Sequence, residues 1–306
     1  MLVLSRSDVE QLLDLDQLVD ALALAMADLS AGRASMPPRL AATAARGLLG
    51  AMPAYLPSAQ ALTAKLVSVF PDNTAQPTHQ AVICCFDPDS GSPTALIDGT
   101  YITATRTAAG SALAAKLLAN PDASTVAIVG TGVQAQSHAR AMARQVARVV
   151  IAGRDRAKVD ALARGLRAEA MSIEEAVRAA QIVCVATHAS APVIRREWLS
   201  PGTHVSSVGY NIAGQGELDP AIVRDAFVVV ESRAAALAPP PSGAIELRGA
   251  RIDAELGELV AGKAGRSSRE QITLYKSVGV AVQDAAAAAL VLRVARERGV
   301  GIEVQI

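Results

Sequence analysis

Residues 125–143 read TVAIVGTGVQAQSHARAMA, and this stretch decides the fold. Val126, Ile128 and Val129 predict a short buried strand, and a helix is expected from Val133 onward. Between them Gly130, Gly132 and Ala135 fill the small-residue positions of a G-x-G-x-x-A turn. Gly130 permits the tight turn, Gly132 lets backbone approach a pyrophosphate, and Ala135 allows helix and sheet to pack closely. The backbone around Thr131, Gly132, Val133 and Gln134 would then meet phosphate oxygens at a helix N-terminus. A glycine turn of this kind also occurs without a cofactor. Here a strand precedes it, a helix follows it, and a second strand comes at the expected distance.

Outward from that turn, strands are expected at 125–129, 148–152, 181–186, 203–208 and 226–230, with helices around 133–146, 155–169 and 172–179. Near-continuous apolar strands alternating with helices predict a parallel sheet covered on both faces. The second strand, RVVIAGRD (148–155), bears on the cofactor. An NAD site would place an acid after it to hold the ribose hydroxyls, whereas this chain has Gly153 and Arg154, with Arg156 close by. A guanidinium suits a 2′-phosphate, so NADPH is the expected cofactor and NADH a possible one. The competing reading is a solvated charge beside Asp155 acting as a helix N-cap.

Upstream the texture differs. Residues 8–29 predict one amphipathic helix through Val9, Leu12, Leu13, Leu18, Leu22 and Leu29. Prolines 37, 38, 53 and 57 interrupt the next stretch. The strand-like runs LTAKLVSVF (62–70), HQAVICCFD (79–87) and TALIDG (94–99) predict a mixed or antiparallel sheet, and 103–119 predicts an alanine-rich helix. The last segment, QITLYKSVGVAVQDAAAAALVLRVARERG (271–299), predicts a strand or loop and then a long helix that returns to the N-terminal part. The expected architecture is therefore α/β. A Rossmann-type parallel sheet domain (116–279) is joined to a mixed α+β domain, built from 1–115 and completed by 280–306.

Composition narrows the function classes. The 306 residues are 51% apolar and 19% charged, with 29 basic and 29 acidic side chains. That is a globular balance, with no basic excess to attract nucleic acid. Gln283, Asp284 and Arg293 interrupt the long apolar stretch 278–294, which argues against a membrane span. Cys84, Cys85 and Cys184 lack metal or disulfide spacing, and the N-terminus lacks a secretory pattern. A reduced, cytoplasmic protein is expected.

Three cations stand in weakly charged surroundings: Arg39 after MPP, Lys65 inside the apolar strand LTAKLVSVF, and Arg106 in TATRTAAG. A lysine in an apolar strand is costly to bury without an anion. Salt bridges or snorkelling side chains account for such residues equally well.

KLVSVFPDN (65–73), THQAVICCFD (78–87), ALIDGTYITATRTAAGSALAAKLLA (95–119), VAIVGTGVQAQSHARAM (126–142) and YKSVGVAVQD (275–284) together resemble the ornithine cyclodeaminase/mu-crystallin family. The resemblance implies nicotinamide-dependent chemistry on a small substrate and a homodimer, with 1–115 and 280–306 as the substrate-binding and dimerisation domain. It makes Arg39 and Arg106 the carboxylate-holding cations and puts Lys65 beside the reacting carbon and nitrogen. It puts Lys276, Ser277, Val278 and Gly279 near nicotinamide and substrate, and Gln80 near substrate. Thr187, His188, Val208 and Gly209, at the ends of two Rossmann strands, would flank the cofactor. His188 is the less favoured proton relay.

The turn in HVSSVGYNIAGQGELD (204–219) departs from the cyclising members. They have an aspartate where this chain has Asn211, and a lysine where it has Gln215. An amide cannot take a proton as a carboxylate can. The departure resembles the subgroup that reduces Δ1-pyrroline-2-carboxylate and Δ1-piperideine-2-carboxylate to L-proline and L-pipecolate, with Lys65, Arg106 and Asn211 as the catalytic set. The alternatives are an alanine-type or N-alkyl amino acid dehydrogenase, an ornithine cyclodeaminase, or a ketimine-binding protein of crystallin type without turnover.

Overall fold

A computed structural model describes residues 1–209, 216–239 and 242–305. Asn211 and Gln215 lie outside the described residues. The chain divides into two compact units, Met1–Arg106 with Val280–Ile306, and Thr107–Gly279.

The first unit begins with β1 (Leu2–Leu4), α1 (Arg6–Leu12) and α2 (Leu15–Ser30). The single helix expected over 8–29 is two. Leu13 leaves helical geometry, and the Asp14 carboxylate accepts from Gln17 N to cap a new helix. Four antiparallel strands follow, β2 (Leu40–Ala44), β3 (Gly47–Leu56), β4 (Ala61–Val69) and β5 (His79–Phe86), then β6 (Pro93–Asp98). Helix α3 (Gly99–Leu118) starts four residues earlier than expected, with Asp98 accepting from Tyr101 N.

The second unit alternates as predicted: β7 (Thr125–Val129), α4 (Val133–Met142), β8 (Arg148–Ala152), α5 (Arg156–Leu166), β9 (Glu169–Met171), α6 (Ile173–Ala179), β10 (Ile182–Val185) and β11 (His204–Ser207). It continues through α7 (Pro220–Asp225), β12 (Phe227–Val230), α8 (Arg233–Ala236), β13 (Ala254–Glu255), α9 (Leu256–Val260) and β14 (Thr273–Lys276). The chain then completes the first unit with α10 (Ala281–Arg298) and β15 (Ile302–Glu303). Helix α5 ends three residues short of the expected 169, because Arg167 turns left-handed and frees Glu169–Met171 to pair as an edge strand.

Among the described residues the second unit holds one parallel sheet in the order β13-β12-β14-β11-β10-β7-β8-β9. The order reverses between β7 and β10, which opens a crevice at the strands' C-terminal ends. Strand β14, ambiguous between strand and loop in sequence, is inserted between β11 and β12 and is wholly buried. The first unit's sheet runs β15-β1-β6-β5-β4-β3-β2, and α10 packs on it beside α2. Among the described residues, no helix is long and apolar enough to cross a membrane.

Candidate active site

In β4 the usual inside-out pattern is inverted at one place. Ala61, Thr63, Lys65 and Val67 alternate on the buried face, while Leu66 is exposed. Lys65 is 2% exposed and is paired in register with Met52 and Ile83, so its ammonium needs a partner inside the unit. That partner is Asp284, in the first turn of α10: its Oδ2 lies 2.6 Å from Lys65 Nζ. Asp284 Oδ1 accepts from Arg106 Nε at 3.0 Å, and Gln283 Oε1 accepts from Arg106 Nη1 at 3.0 Å. One buried carboxylate therefore bridges two buried cations.

The electrostatics follow from that geometry. Burial is the main force lowering the Lys65 ammonium, opposed by Asp284 and assisted by the charges of Arg106 and Arg39, and the balance brings it to about 8. Burial works to raise the Asp284 carboxyl, but Arg106 and Lys65 outweigh it and hold it below the usual carboxylate range. Arg39, half-buried just before β2, is thus near enough to act on Lys65. The structure gathers all three cations named from sequence. Gln80 is not among them: β5 pairs Ile83 with Lys65, so Gln80 falls on the opposite face, exposed, with its amide donating to Pro77 O at 3.4 Å.

In the second unit, the glycine turn has the form that its residues require. Gly130 sits at φ 134°, and a Cβ there would lie 2.4 Å from Ala186 O. At Gly132 a Cβ would meet nothing within 4 Å, and α4 starts there with no side-chain cap. The first N–H groups of α4 therefore have no side-chain cap. Ala135 is fully buried behind the turn, and Val133 is exposed. Arg154 is exposed and makes no ion pair among the described residues, whereas Arg156 is paired with Asp160. Asp155 does cap α5, accepting from Lys158 N.

Past the ends of β10 and β11 the site residues are tied to three buried or nearly buried carboxylates that sequence reasoning missed. Glu217 accepts from Thr187 N and Oγ1, Ser207 Oγ and Gly209 N, with Val208 between the last two and bonded to Val185 O. Glu231 accepts from Ser277 Oγ, Val278 N and Gly279 N. Glu246 Oε2 lies 2.6 Å from Lys276 Nζ, which also donates to Ser207 Oγ at 2.8 Å. The ammonium of Lys276 is therefore engaged inside the unit. His188 is exposed. In sequence Glu217 stood within GELD and read as a helix start, and Asp284 read only as an interruption of an apolar run. Among the described residues, no group of His, Cys, Asp and Glu side chains could hold a metal ion.

The sequence pattern of the ornithine cyclodeaminase/mu-crystallin family matches residues 1–299. The chain belongs to that family. Among curated members it is 42% identical over 253 residues to the ketimine reductase mu-crystallin of Mus musculus, covering 80% of each chain. Among solved structures, it is similar to Thermococcus litoralis Δ1-pyrroline-2-carboxylate reductase in complex with NADH and L-proline. Identity there is 36% and the TM-score 0.92, over 99% of this chain and 100% of that one. An archaeal alanine dehydrogenase dimer with bound NAD is 30% identical, with a TM-score of 0.89 over 100% of this chain and 99% of that one. The family's fold thus runs through both units of this chain.

Proposed function

We propose that this chain reduces the cyclic imino acids Δ1-pyrroline-2-carboxylate and Δ1-piperideine-2-carboxylate to L-proline and L-pipecolate. The observation that carries this reading is the buried Lys65–Asp284–Arg106 cluster. It combines a proton source poised near neutrality with a fixed guanidinium. Similarity to a reductase solved with NADH and L-proline supports it.

Arg106 is locked at Nε and Nη1 by Asp284 and Gln283, which leaves its Nη2 edge for a substrate carboxylate oxygen. Arg39 is the second cation for that carboxylate. Gln283 Nε2 is buried without a hydrogen-bond partner among the described residues, a further donor for the same anion. A bound nicotinamide supplies hydride to C2 of the imine. Lys65, with a proton held near pH 8, delivers that proton to the ring nitrogen, and Asp284 retains the amine by accepting its remaining N–H. C2 gains hydride and nitrogen gains a proton, so the C=N bond becomes C–N with no leaving group. The first unit acts in this reading as the substrate domain, and the second holds the dinucleotide.

The turn at Gly130–Gln134 would hold the pyrophosphate, with Thr187, Val208, Gly209, Val278 and Gly279 lining the path of the sugar and nicotinamide. Arg154, without an ion pair among the described residues, favours NADPH over NADH. A homodimer would cover Leu40, Leu49, Leu66 and Val82, which are exposed on one face of the first unit's sheet. A cytoplasmic setting suits three free cysteines. Following NADPH oxidation with each cyclic imine, alongside pyruvate with ammonia or methylamine, tests the reaction. Turnover of neither imine would overturn it.

A further inference from the structure

Glu217 is 3% exposed, yet it lies outside every strand and helix of the second unit. Its backbone is tied down on one side, where Val193 N donates to Glu217 O at 2.9 Å, and Leu218 forms an isolated bridge with Ile194. Its side chain reaches the opposite way. Oε2 accepts from Thr187 N at 2.9 Å and Thr187 Oγ1 at 2.7 Å, just beyond β10. Oε1 accepts from Ser207 Oγ and Gly209 N, both at 2.7 Å, at the end of β11. Four donors from two adjacent strands thus converge on one carboxylate, where the ladder between those strands has ended with the Val208 N to Val185 O bond.

Two further facts show that this arrangement is built in. A Cβ at Gly209 would stand 2.3 Å from the Glu217 carboxyl carbon, so residue 209 must lack a side chain for the carboxylate to sit there. Ser207 Oγ, which donates to Glu217, in turn accepts from Lys276 Nζ at 2.8 Å, and Lys276 is held by Glu246. Strand β10 also borders the point where the strand order reverses, the place at which open parallel sheets bind ligands.

We infer that Glu217 is a positioning residue for the nicotinamide end of the cofactor, fixing the two strand ends against which that ring is placed. The inference rests on the nicotinamide reading above. Glutamine at 217 keeps the size of the side chain but turns one acceptor into a donor, which then opposes either Thr187 or Gly209. The pyrophosphate turn at Gly130–Gln134 shares none of these bonds. The two halves of the nucleotide should therefore respond differently.

The test compares NADH with ADP-ribose, which lacks the nicotinamide, by equilibrium binding to the full chain and its E217Q variant. The expected result is at least a 10-fold rise in Kd for NADH with ADP-ribose unchanged. Equal changes for both ligands, or no change for either, would overturn the inference, because a purely structural carboxylate would not separate them. If E217Q does not fold, T187V removes one of the four bonds and should give the same split, smaller in size. Wild-type turnover of cyclic imines is measured separately. Its absence would remove the reaction proposed above, while the binding split would still decide the role of Glu217.

Discussion

Asp284 Oδ2 lies 2.6 Å from Lys65 Nζ, with both side chains at most 2% exposed. The same carboxylate holds Arg106 through its other oxygen. Both buried cations thus depend on this one carboxylate for their counter-charge.

The pH dependence of reduction follows from Lys65. Burial, opposed by Asp284, brings its ammonium down to about 8 from an ordinary value of 10.5. As the proton donor it must be charged, so kcat/KM should hold through neutral pH and fall as pH rises through the region of 8. A pH–rate profile with K65M as the control checks this. A flat profile to pH 10 would remove Lys65 as the donor.

Replacing Asp284 with Asn should act twice. It leaves two buried cations short of a counter-charge, a destabilisation of about 3–5 kcal/mol if nothing relaxes. It also removes the main influence holding the proton on Lys65, so the alkaline limb of kcat/KM should move to lower pH. Denaturant unfolding and the pH profile of D284N measure the two effects separately.

The two glycines of the turn should fail differently. Gly132→Val meets open space and an extended backbone, so the fold should survive while nucleotide binding is lost. Gly130→Ala drives a Cβ to 2.4 Å from Ala186 O at a left-handed φ, so stability should fall first. Thermal unfolding beside NADPH titration of both variants distinguishes them.

R154A should weaken NADPH binding by roughly 10-fold or more and spare NADH, since the exposed guanidinium has no ion-pair partner among the described residues to lose. Kd values for both cofactors give the answer. Equal losses would assign Arg154 a structural role.

Acid stability should be governed in part by His138. Its Nδ1 lies 2.7 Å from Gln134 O, which can only accept, so Nδ1 carries the proton and Nε2 accepts from Ser111 Oγ. Burial lowers this imidazole to about 4. Its folded value is below the unfolded 6.5, so the unfolded chain binds more protons between them. The stabilisation is complete above 6.5 and is lost as pH falls toward 4, a contribution of about 3 kcal/mol. Unfolding of H138Q against wild type across pH 4–7 should show a shallower acid dependence in the variant.

Much of this was legible in residues. Lys65 announced itself by interrupting an apolar strand, Arg106 by entering an alanine helix, and Gly132 by its place between strand and helix. Gln80 misled because a strand's two faces alternate, and one residue of register decides which face a side chain takes. The break at Leu13–Asp14 misled because the apolar period runs through it while the cap at Asp14 does not. Glu217 and Glu231 carried no local signature at all, since their partners are N–H groups whose direction depends on where strands end.

The sequence by itself determined the doubly wound sheet, because short buried strands, alternating helices and a glycine turn are dictated by local sterics and apolar burial. It also determined which cations stood out. Only the tertiary structure decided what those cations pair with. Arg106 and Asp284 are 178 residues apart, and no local rule couples positions at that distance. The cost of burying a charge does so, by requiring that α10 bring its acid to α3 and β4 before any of the three can leave water.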